Sequence, residues 1–444
     1  MNTLKKIKNR ALVMNTAKLS SSNIIMYVLP IIVTPILSRL YSPTCFGEWG
    51  VFSSIITIAT IVIFMSYENT IVKAKEEEMP VILTICGLIG CGLAIMFTLL
   101  IFCIEKAHIF NTNIGQETIV FALYFIAYIL YTIAYNISNR YSKYTSLSVA
   151  NILQGVSQAF FRITLAFMTI SAFNGLIFGT TMAEILTAGF LAYIVLRLVI
   201  KYNWSSCTLK NIKRVVLKYK KFPLYDAPAN LLAFSALSLP TIILAAFYTK
   251  SAIGSLSIIF QLLLMPMSFV GSSLGKVYYQ ELCQKDTTQQ KIAETTNTLF
   301  RFLGILAILP LLFICCGGDQ TIVCFLGEGW ETAGDIAICL SLWSFPIVLT
   351  QPLLPIFRVL NVQNVQLRYD IIYFIAGIGV LTVCSINSIS LTTTLFCYAL
   401  ACTLSKLALL KKIISLTHSR LLNRRILLLW TICILILMVR LYNL

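Results

Sequence analysis

The sequence predicts an all-α membrane protein that crosses the bilayer about twelve times. Three observations lead to this fold class. Hydrophobic residues make up 58% of the 444-residue chain and charged residues 11%, against about 45–50% and about 25% in soluble domains. The apolar residues form segments of about 20 residues, the length that a helix needs to cross the hydrocarbon. Lysine and arginine cluster in every second gap between these segments, which is typical of loops that stay in the cytoplasm.

Twelve apolar segments are predicted to span the membrane. They cover residues 18–39, 47–67, 81–104, 118–136, 149–171, 175–200, 225–249, 253–277, 297–317, 333–357, 369–387 and 390–410. The first segment follows basic residues, but it is too long for a signal peptide and has no small-residue cleavage site, so we expect a retained helix. A further apolar run, 426–439, is either a thirteenth helix or an interfacial one.

The positive charges give the topology. All but five of the 34 Lys and Arg residues lie in every second gap, and the exceptions are Arg39, Lys106, Arg162, Lys250 and Arg440. Because short loops rich in Lys and Arg remain inside, we expect a multi-pass protein with a cytoplasmic N-terminus. The net charge of +17 then reflects topology and not nucleic-acid binding. Arg162 lies deep in a predicted span, and it is the one basic residue there that the positive-inside rule does not explain.

Cysteine and histidine do not indicate a metal or disulfide site. Most of the 14 cysteines lie within the predicted spans, they form no CxxC pair, and there are only two histidines. Free cysteine packs as a small hydrophobic residue. The sequence also lacks a DxD motif and a nucleotide-binding loop, so we expect no catalytic residues, no metal and no enzyme activity.

Two stretches that lie 207 residues apart share a spacing. In the first stretch, Leu-Pro opens an apolar run that ends at Tyr41, six residues before Gly47. In the second stretch, Leu-Pro again opens an apolar run, which ends at Tyr248, six residues before Gly254. Each stretch joins the first two helices of a six-helix half, which predicts a parallel repeat with two lobes. The predicted domains are an N-terminal lobe (1–200), a basic cytoplasmic linker (201–222), a C-terminal lobe (223–413) and a basic loop with the last apolar segment (414–444).

Several motifs follow one another along the chain. They are residues 36–43 (ILSRLYSP) with Phe46-Gly47, residues 67–72 (YENTIV), residues 222–232 (FPLYDAPANLL), residues 264–268 (LMPMS) and residues 325–334 (FLGEGWETAG). Together they resemble Wzx-type polysaccharide flippases of the multidrug/oligosaccharidyl-lipid/polysaccharide exporter superfamily. One position departs from this family, in which an arginine often follows the glutamine that Gln261 matches; here Leu262 follows it.

The resemblance implies the exporter-superfamily fold and a flippase. Such a protein lies in the bacterial inner membrane and turns an undecaprenyl-diphosphate-linked oligosaccharide, typically an O-antigen repeat unit, from the cytoplasmic to the periplasmic leaflet by alternating access. The implied partners are this lipid-linked substrate, membrane lipids and the polysaccharide polymerase machinery, with no cofactor except coupling to an H⁺ or Na⁺ gradient. A polar cavity would spare the diphosphate the cost of losing its hydration in hydrocarbon.

Two other functions are compatible with parts of the sequence. A drug or cation exporter of the same superfamily would share the fold. A membrane O-antigen polymerase or ligase fits less well, because the longest outer loop, near residues 318–332, contains no His, Arg or Lys.

Four basic residues are candidates for substrate binding. Arg162 can contact the diphosphate, since guanidinium suits phosphate oxygens, or it can pair with Glu184 in the next helix. Arg39 can contact the head group or simply extend to the membrane surface. Lys276 and Arg301, near the cytoplasmic ends of helices eight and nine, can attract the head group or act as ordinary anchors.

Three acidic residues are candidates for ion coupling. Glu184 is the best placed, because it lies within the sixth predicted span. Asp226 and Asp370 lie near the predicted starts of helices seven and eleven, where an acid also favours the helix N-terminus. Tyr124, Tyr128, Tyr131 and Tyr135 recur at helical spacing and can pack against other helices or line a cavity.

Overall fold

The computed structural model describes residues 21–22, 25–26, 28–106, 118–168, 174–202, 204–283, 288–419 and 424–442. The described residues form helices joined by short turns, and none of them lies in a β-strand. In chain order the helices are α1 (Val28–Leu40), α2 (Pro43–Ile63), α3 (Thr70–Lys73), α4 (Met79–Lys106), α5 (Thr118–Arg140), α6 (Tyr144–Phe167), α7 (Gly175–Val199), α8 (Leu209–Lys218), α9 (Ala227–Ala245), α10 (Lys250–Leu282), α11 (Gln289–Phe313), α12 (Asp319–Leu326), α13 (Glu331–Thr350), α14 (Ile356–Val359), α15 (Gln363–Ile386), α16 (Leu391–Thr417) and α17 (Arg424–Tyr442).

Each predicted span overlaps one of these helices, although residues 18–20, 23, 24 and 27 of the first span and residues 169–171 of the fifth lie outside the described residues. Within the described part of the chain, nine helical segments are long and apolar enough to cross a membrane. The other three predicted spans fall on α1, α6 and α10. For α1 and α10 shorter apolar helices are found, and α6 is less apolar because it carries Asn151, Gln154, Gln158 and Arg162. The chain is therefore a multi-pass membrane protein.

The chain divides into two compact units. The first consists of Met1–Tyr41 and Glu48–Ser238, and the second of Ser42–Gly47 and Leu239–Leu444. The division falls within α9, and the first turn of α2 belongs with the second unit.

Polar side chains cap the helices where the chain turns into them. The side chain of Asn174 accepts a hydrogen bond from the backbone N–H of Leu176 at 3.0 Å, which fixes the start of α7. Hydroxyl groups do the same for α8, α10, α11 and α16, through Thr208, Thr249, Thr288 and Ser390. Such caps satisfy backbone N–H groups that have no partner within the helix.

In the first unit, α6 and α7 pack with their backbones close together. A Cβ atom on Gly179 would lie only 2.8 Å from Cγ of Arg162, and one on Gly175 would overlap the Tyr41 hydroxyl. That hydroxyl donates a hydrogen bond to the backbone oxygen of Arg162 at 2.7 Å. Glycine is therefore needed at both positions, and the packing holds the C-terminal half of α6 against α7 and the end of α1.

The predicted linker, residues 201–222, contains the basic helix α8. Val215 is the buried residue of this helix, and Lys218 Nζ donates to Glu78 Oε1 at 2.6 Å. The Tyr219 hydroxyl donates to the same carboxylate at 3.0 Å. These contacts fix α8 beside the start of α4, and its other lysines and arginine remain on the surface.

In the second unit, α13 forms the core. Nearly every residue from Ala333 to Thr350 is buried, and Trp343 packs edge-on against Tyr398 of α16 at a centroid distance of 5.9 Å. The last helix, α17, lies against the same unit: the ring of Trp430 stacks on Phe345 at 5.0 Å. Residues 426–439, whose nature the sequence left open, are thus part of a helix that packs on α13.

The end of α17 is held by a bidentate ion pair. Arg440 donates to both carboxylate oxygens of Asp319, at 2.9 and 3.0 Å, and to the backbone oxygen of Ile314. This contact lies beside a π-helical turn, Ile314–Gly318, in which Gly317 has a φ of 94°. A positive φ of this size favours glycine.

The two stretches with the shared spacing make matching contacts. Gly47 and Gly254 lie against each other in the second unit, so that a Cβ on Gly47 would overlap the backbone oxygen of Lys250, and a Cβ on Gly254 would overlap that of Pro43. Lys250 lies 207 residues after Pro43, as Gly254 does after Gly47. The Tyr248 hydroxyl donates to the backbone oxygen of Ile389, just before α16, at 2.7 Å. Tyr41 makes the corresponding contact near the end of α6.

Candidate functional site

The candidate site is centred on Arg162 in the first unit. Only 6% of this residue is exposed. Its guanidinium carbon lies 4.8 Å from the centroid of the Trp49 ring, and Nη2 donates to the Thr180 hydroxyl at 2.8 Å. The Nε atom is buried and has no hydrogen-bond partner among the described residues. Arg162 is thus a buried cation that is held by an aromatic face and one hydroxyl.

Arg162 and Glu184 do not pair, and the predicted ion pair between them is wrong. In the described ranges no carboxylate lies within ion-pair distance of Arg162. Glu184, which is 3% exposed, instead accepts a hydrogen bond from Gln154 Nε2 at 2.7 Å. Two contacts therefore join the facing sides of α6 and α7, one from Arg162 to Thr180 and one from Gln154 to Glu184.

The polar face of α6 includes residues that sequence reasoning missed. Gln154, Gln158 and Arg162 recur at intervals of four, so they lie on one side of the helix. Thr180 and Glu184 have the same spacing on α7. This four-residue spacing of polar residues inside an apolar segment is the sequence feature that indicates a polar face on each helix. Trp49 gave no comparable signal, because its contact with Arg162 depends on how α2 packs against α6.

The tyrosine stripe of α5 faces the same region. Tyr124 is buried, and its ring stacks on that of Tyr128 with centroids 6.4 Å apart and an interplanar angle of 11°. α5 packs against α7, the helix that carries Glu184. The first two tyrosines therefore pack inside the unit, on a helix that neighbours that of Glu184.

A second buried basic residue lies in the other unit, and here the expectation that Arg162 is the only one is wrong. Lys406 lies well inside α16, with its Nζ 4.2 Å from the centroid of the Tyr373 ring and 3.9 Å from Asp370 Oδ1. Asp370 is not at a helix start, because α15 begins at Gln363. Its charge is balanced by Lys406, and Gln366 adds a hydrogen bond at 3.4 Å.

The remaining candidates are exposed. Arg39 lies in the last turn of α1, Lys276 near the end of α10, and Asp226 at the end of the π-helical turn Phe222–Asp226 that precedes α9. Arg301 lies in the middle of α11 and not near its end, because that helix begins at Gln289, eight residues before the predicted span. Arg39 and Asp226 share the first unit with Arg162, and neither contacts it among the described residues.

In the described part of the chain, no three His, Cys, Asp or Glu side chains are grouped as metal ligands. The polar groups that accompany Arg162 on the facing sides of α6 and α7 are amides, hydroxyls and one carboxyl, and the carboxyl does not pair with it. Such a set can bind an anion through the guanidinium and orient it by hydrogen bonds.

Comparisons with known proteins agree on a family and a fold. A family model described as polysaccharide biosynthesis protein matches residues 36–335. Among solved structures, the chain resembles the lipid II flippase MurJ in an inward closed conformation, with a TM-score of 0.68, 12% identity, and coverage of 95% of this chain and 97% of that chain. It also resembles an inward-facing multidrug resistance MATE family transporter of the MOP superfamily, with a TM-score of 0.62, 13% identity, and coverage of 91% and 99%. A MOP superfamily transporter from Pyrococcus furiosus gives a TM-score of 0.60 at 14% identity, with coverage of 90% and 96%. Among curated proteins none matches the chain by sequence.

Proposed function

Because the chain belongs to the polysaccharide biosynthesis protein family and has the fold of MOP-superfamily transporters, we propose that it flips a lipid-linked oligosaccharide. The substrate is an undecaprenyl-diphosphate-linked O-antigen repeat unit, which moves from the cytoplasmic to the periplasmic leaflet of the bacterial inner membrane and then passes to the polymerase machinery of lipopolysaccharide biosynthesis. The protein acts by alternating access and without catalysis.

The observation that carries this proposal is the buried, carboxylate-free guanidinium of Arg162. An arginine inside a membrane costs about 2.5–3.5 kcal/mol on insertion scales. Its contact with Trp49 returns about 0.5–2 kcal/mol, and the hydrogen bond to Thr180 returns about 1.5–3 kcal/mol. Nη1 and the second hydrogen of Nη2 remain for a ligand, and guanidinium binds phosphate oxygens by paired hydrogen bonds. A diphosphate is the anion that the family's substrates offer.

The positive charge of Arg162 also favours the proposed flippase over a drug or cation exporter, which would share the fold. A site for organic cations needs an uncompensated carboxylate or an aromatic cage. In the first unit Glu184 is a buried carboxyl without a cationic partner, but Arg162, which has no carboxylate partner among the described side chains, lies on the same facing sides of α6 and α7 and would repel a cation.

We further propose twelve crossings, arranged as a parallel repeat with the N-terminus in the cytoplasm. The support comes from the alternating Lys and Arg clusters and from the matching contacts of Tyr41 and Tyr248 and of Gly47 and Gly254. In this orientation an inside-negative membrane potential favours outward movement of the anionic head group, by about 2.3 kcal/mol per elementary charge for 100 mV.

Glu184 is the proposed coupling group for an H⁺ or Na⁺ gradient. It is buried, no cation faces it among the described residues, and it lies one helical turn from Thr180, which holds Arg162. Asp370 is a weaker candidate because Lys406 already balances its charge. Asp226 is exposed and makes no contact with Arg162 or Glu184 among the described residues.

The test is complementation in the native host. Deleting the gene should remove the surface polysaccharide, and the wild-type gene should restore it. Arg162→Ala and Arg162→Lys should both restore little at normal protein level, because neither offers a bidentate contact. Arg197→Ala changes an exposed arginine at the end of α7 and should restore it fully. Unchanged polysaccharide in the deletion strain, with raised sensitivity to cationic drugs, would favour the exporter instead.

A further inference from the structure

The outward side of α8 presents positive charge next to open apolar side chains. Leu209, Lys213 and Leu217 follow one another at intervals of four residues, so they form one row along the helix, and Lys210 and Arg214 form a second row beside it. Leu209 is 86% exposed and Leu217 is 56% exposed, and the three basic residues are exposed as well. We call these five residues the exposed face of α8. Leucine together with lysine and arginine is typical of helices that lie at a lipid surface.

The opposite side of α8 is docked on the protein. Val215 is buried there, and Lys218 Nζ donates to both oxygens of the Glu78 carboxylate, at 2.6 and 2.8 Å. The Tyr67 hydroxyl donates to the backbone oxygen of Val216 at 3.3 Å. These contacts join α8 to the start of α4 and to the turn that follows α2. The exposed face therefore has a fixed direction, away from the first unit.

No protein carboxylate neutralises the exposed face. Among the described residues, its three cations make no ion pair and no side-chain hydrogen bond. The nearest acids in the structure are engaged, because Glu78 accepts from Lys218 and Glu76 accepts from the Tyr141 hydroxyl at 2.7 Å. Glu77 is exposed and forms no ion pair with these cations. The positive charge of the exposed face is thus available to an anionic partner.

Further side chains extend the exposed face at both ends. Trp204 lies five residues before α8 and is 43% exposed, and its Nε1 donates to the backbone oxygen of Val199 at the end of α7, at 3.3 Å. Tryptophan is enriched where a membrane meets water, with its ring at the level of the headgroups. Lys220 and Lys221 follow α8 and are also exposed. The segment 204–221 therefore combines an aromatic ring, two leucines and a row of free cations.

We propose that the exposed face of α8 binds the headgroups of anionic phospholipids, with Leu209 and Leu217 inserted among the acyl chains. Charge complementarity selects this partner, because the unpaired cations attract a lipid that carries a net negative charge. The leucines select a lipid over a soluble anion, since they leave water only in the lipid complex. The stems of the basic side chains lie along the apolar region and hold their charged ends at the phosphates.

This surface does not depend on what the protein transports. A flippase and a drug exporter would both retain it, and its failure would leave the proposed function unchanged. Only the identity of the leaflet rests on the proposed orientation, in which residues 201–222 lie in the cytoplasm and the exposed face meets the cytoplasmic leaflet.

The surface is tested by photo-crosslinking to lipid. The purified full-length protein is placed in phosphatidylcholine vesicles that contain a small share of a photoactivatable phosphatidylglycerol or of the matching phosphatidylcholine, and mass spectrometry measures the fraction of segment 204–221 that carries lipid. Phosphatidylglycerol should label this segment more strongly. The triple variant K210Q/K213Q/R214Q should weaken the labelling about fivefold for each cation removed. The matched control K411Q/K412Q, which changes basic residues near the end of α16, should label this segment as the wild type does.

The leucines distinguish a lipid from a soluble phosphate. Leu209→Ser combined with Leu217→Ser should also lower the labelling, and an excess of glycerol 3-phosphate should not compete with the lipid. Because all five side chains are exposed, the variants should unfold at the wild-type temperature. Equal labelling by the two lipids, or wild-type labelling of the triple variant, would overturn the proposal. Competition by glycerol 3-phosphate with unchanged labelling of the double serine variant would also overturn it, in favour of a soluble anion.

Discussion

The contact between Gly47 and Gly254 allows a direct test of the repeat. An alanine at Gly47 would place its Cβ 2.9 Å from the carbonyl carbon of Lys250, and an alanine at Gly254 would place it 2.8 Å from that of Pro43. Carbon atoms normally approach to about 3.5–4.0 Å, so the backbones must separate by about 1 Å. Because the obstructing atoms belong to the backbone and cannot rotate away, each substitution should lower the free energy of unfolding by about 1–3 kcal/mol.

The assay is thermal unfolding of the purified protein in detergent, followed by the loss of the monodisperse peak on size-exclusion chromatography. Gly379→Ala is the matched control, because nothing lies within 4 Å of a Cβ at that position, and it should be neutral or stabilising by about 0.5–1 kcal/mol. The double variant should cost less than the sum of the single ones, since one separation of the backbones relieves both clashes. If Gly47→Ala and Gly254→Ala unfold at the same temperature as the wild type, the close contact between these two backbones is contradicted.

Three further predictions concern charged groups. Arg440→Ala should destabilise α17 by about 1–3 kcal/mol, since it leaves the largely buried Asp319 without its bidentate partner; thermal unfolding measures this, and Asp319→Asn should cost no more. Lys406→Met and Asp370→Asn should each destabilise the protein strongly, whereas the double variant should be nearer to wild type, because a single change leaves an unpaired buried charge; equal additive losses would contradict the pairing. Since the folded pKa of Glu68 is about 7 and the ordinary value is 4.5, the fold favours the protonated form. Its contribution to stability is complete below pH 4.5 and is lost as the pH rises to about 7, by about 3 kcal/mol. In Glu68→Gln this loss should be absent when unfolding is measured across that range.

Local sequence was sufficient to predict the helices, because the length of an apolar segment decides whether it can cross a bilayer. It did not fix where they end. The fifth span was predicted at residues 149–171, but α6 covers Tyr144–Phe167, since the polar residues that precede the apolar segment continue the helix. Arg162 therefore lies nearer to the end of its helix than to the middle.

Pairings between helices were less predictable. Arg162 and Glu184 are the oppositely charged residues of the fifth and sixth predicted spans, which suggested a pair, but the rotation of α6 against α7 turns Glu184 towards Gln154. The four-residue spacing of Gln154, Gln158 and Arg162 does indicate that these residues share one side of α6. Lys406 was assigned to a cytoplasmic cluster because of its neighbours in sequence, although it lies within the predicted segment 390–410 and is buried beside Asp370.

Arg162 is proposed to bind the diphosphate of a lipid-linked oligosaccharide during transport. The most direct measurement is transfer of a fluorescent isoprenyl-diphosphate oligosaccharide between the leaflets of vesicles that contain the purified protein, read by quenching of the outer leaflet with a membrane-impermeant reductant. Wild type and Arg197→Ala should transfer the lipid, and Arg162→Ala should do so about 10–100 times more slowly, which corresponds to the loss of about 1.5–3 kcal/mol of charged hydrogen bonding. Equal rates for Arg162→Ala and wild type would contradict the claim.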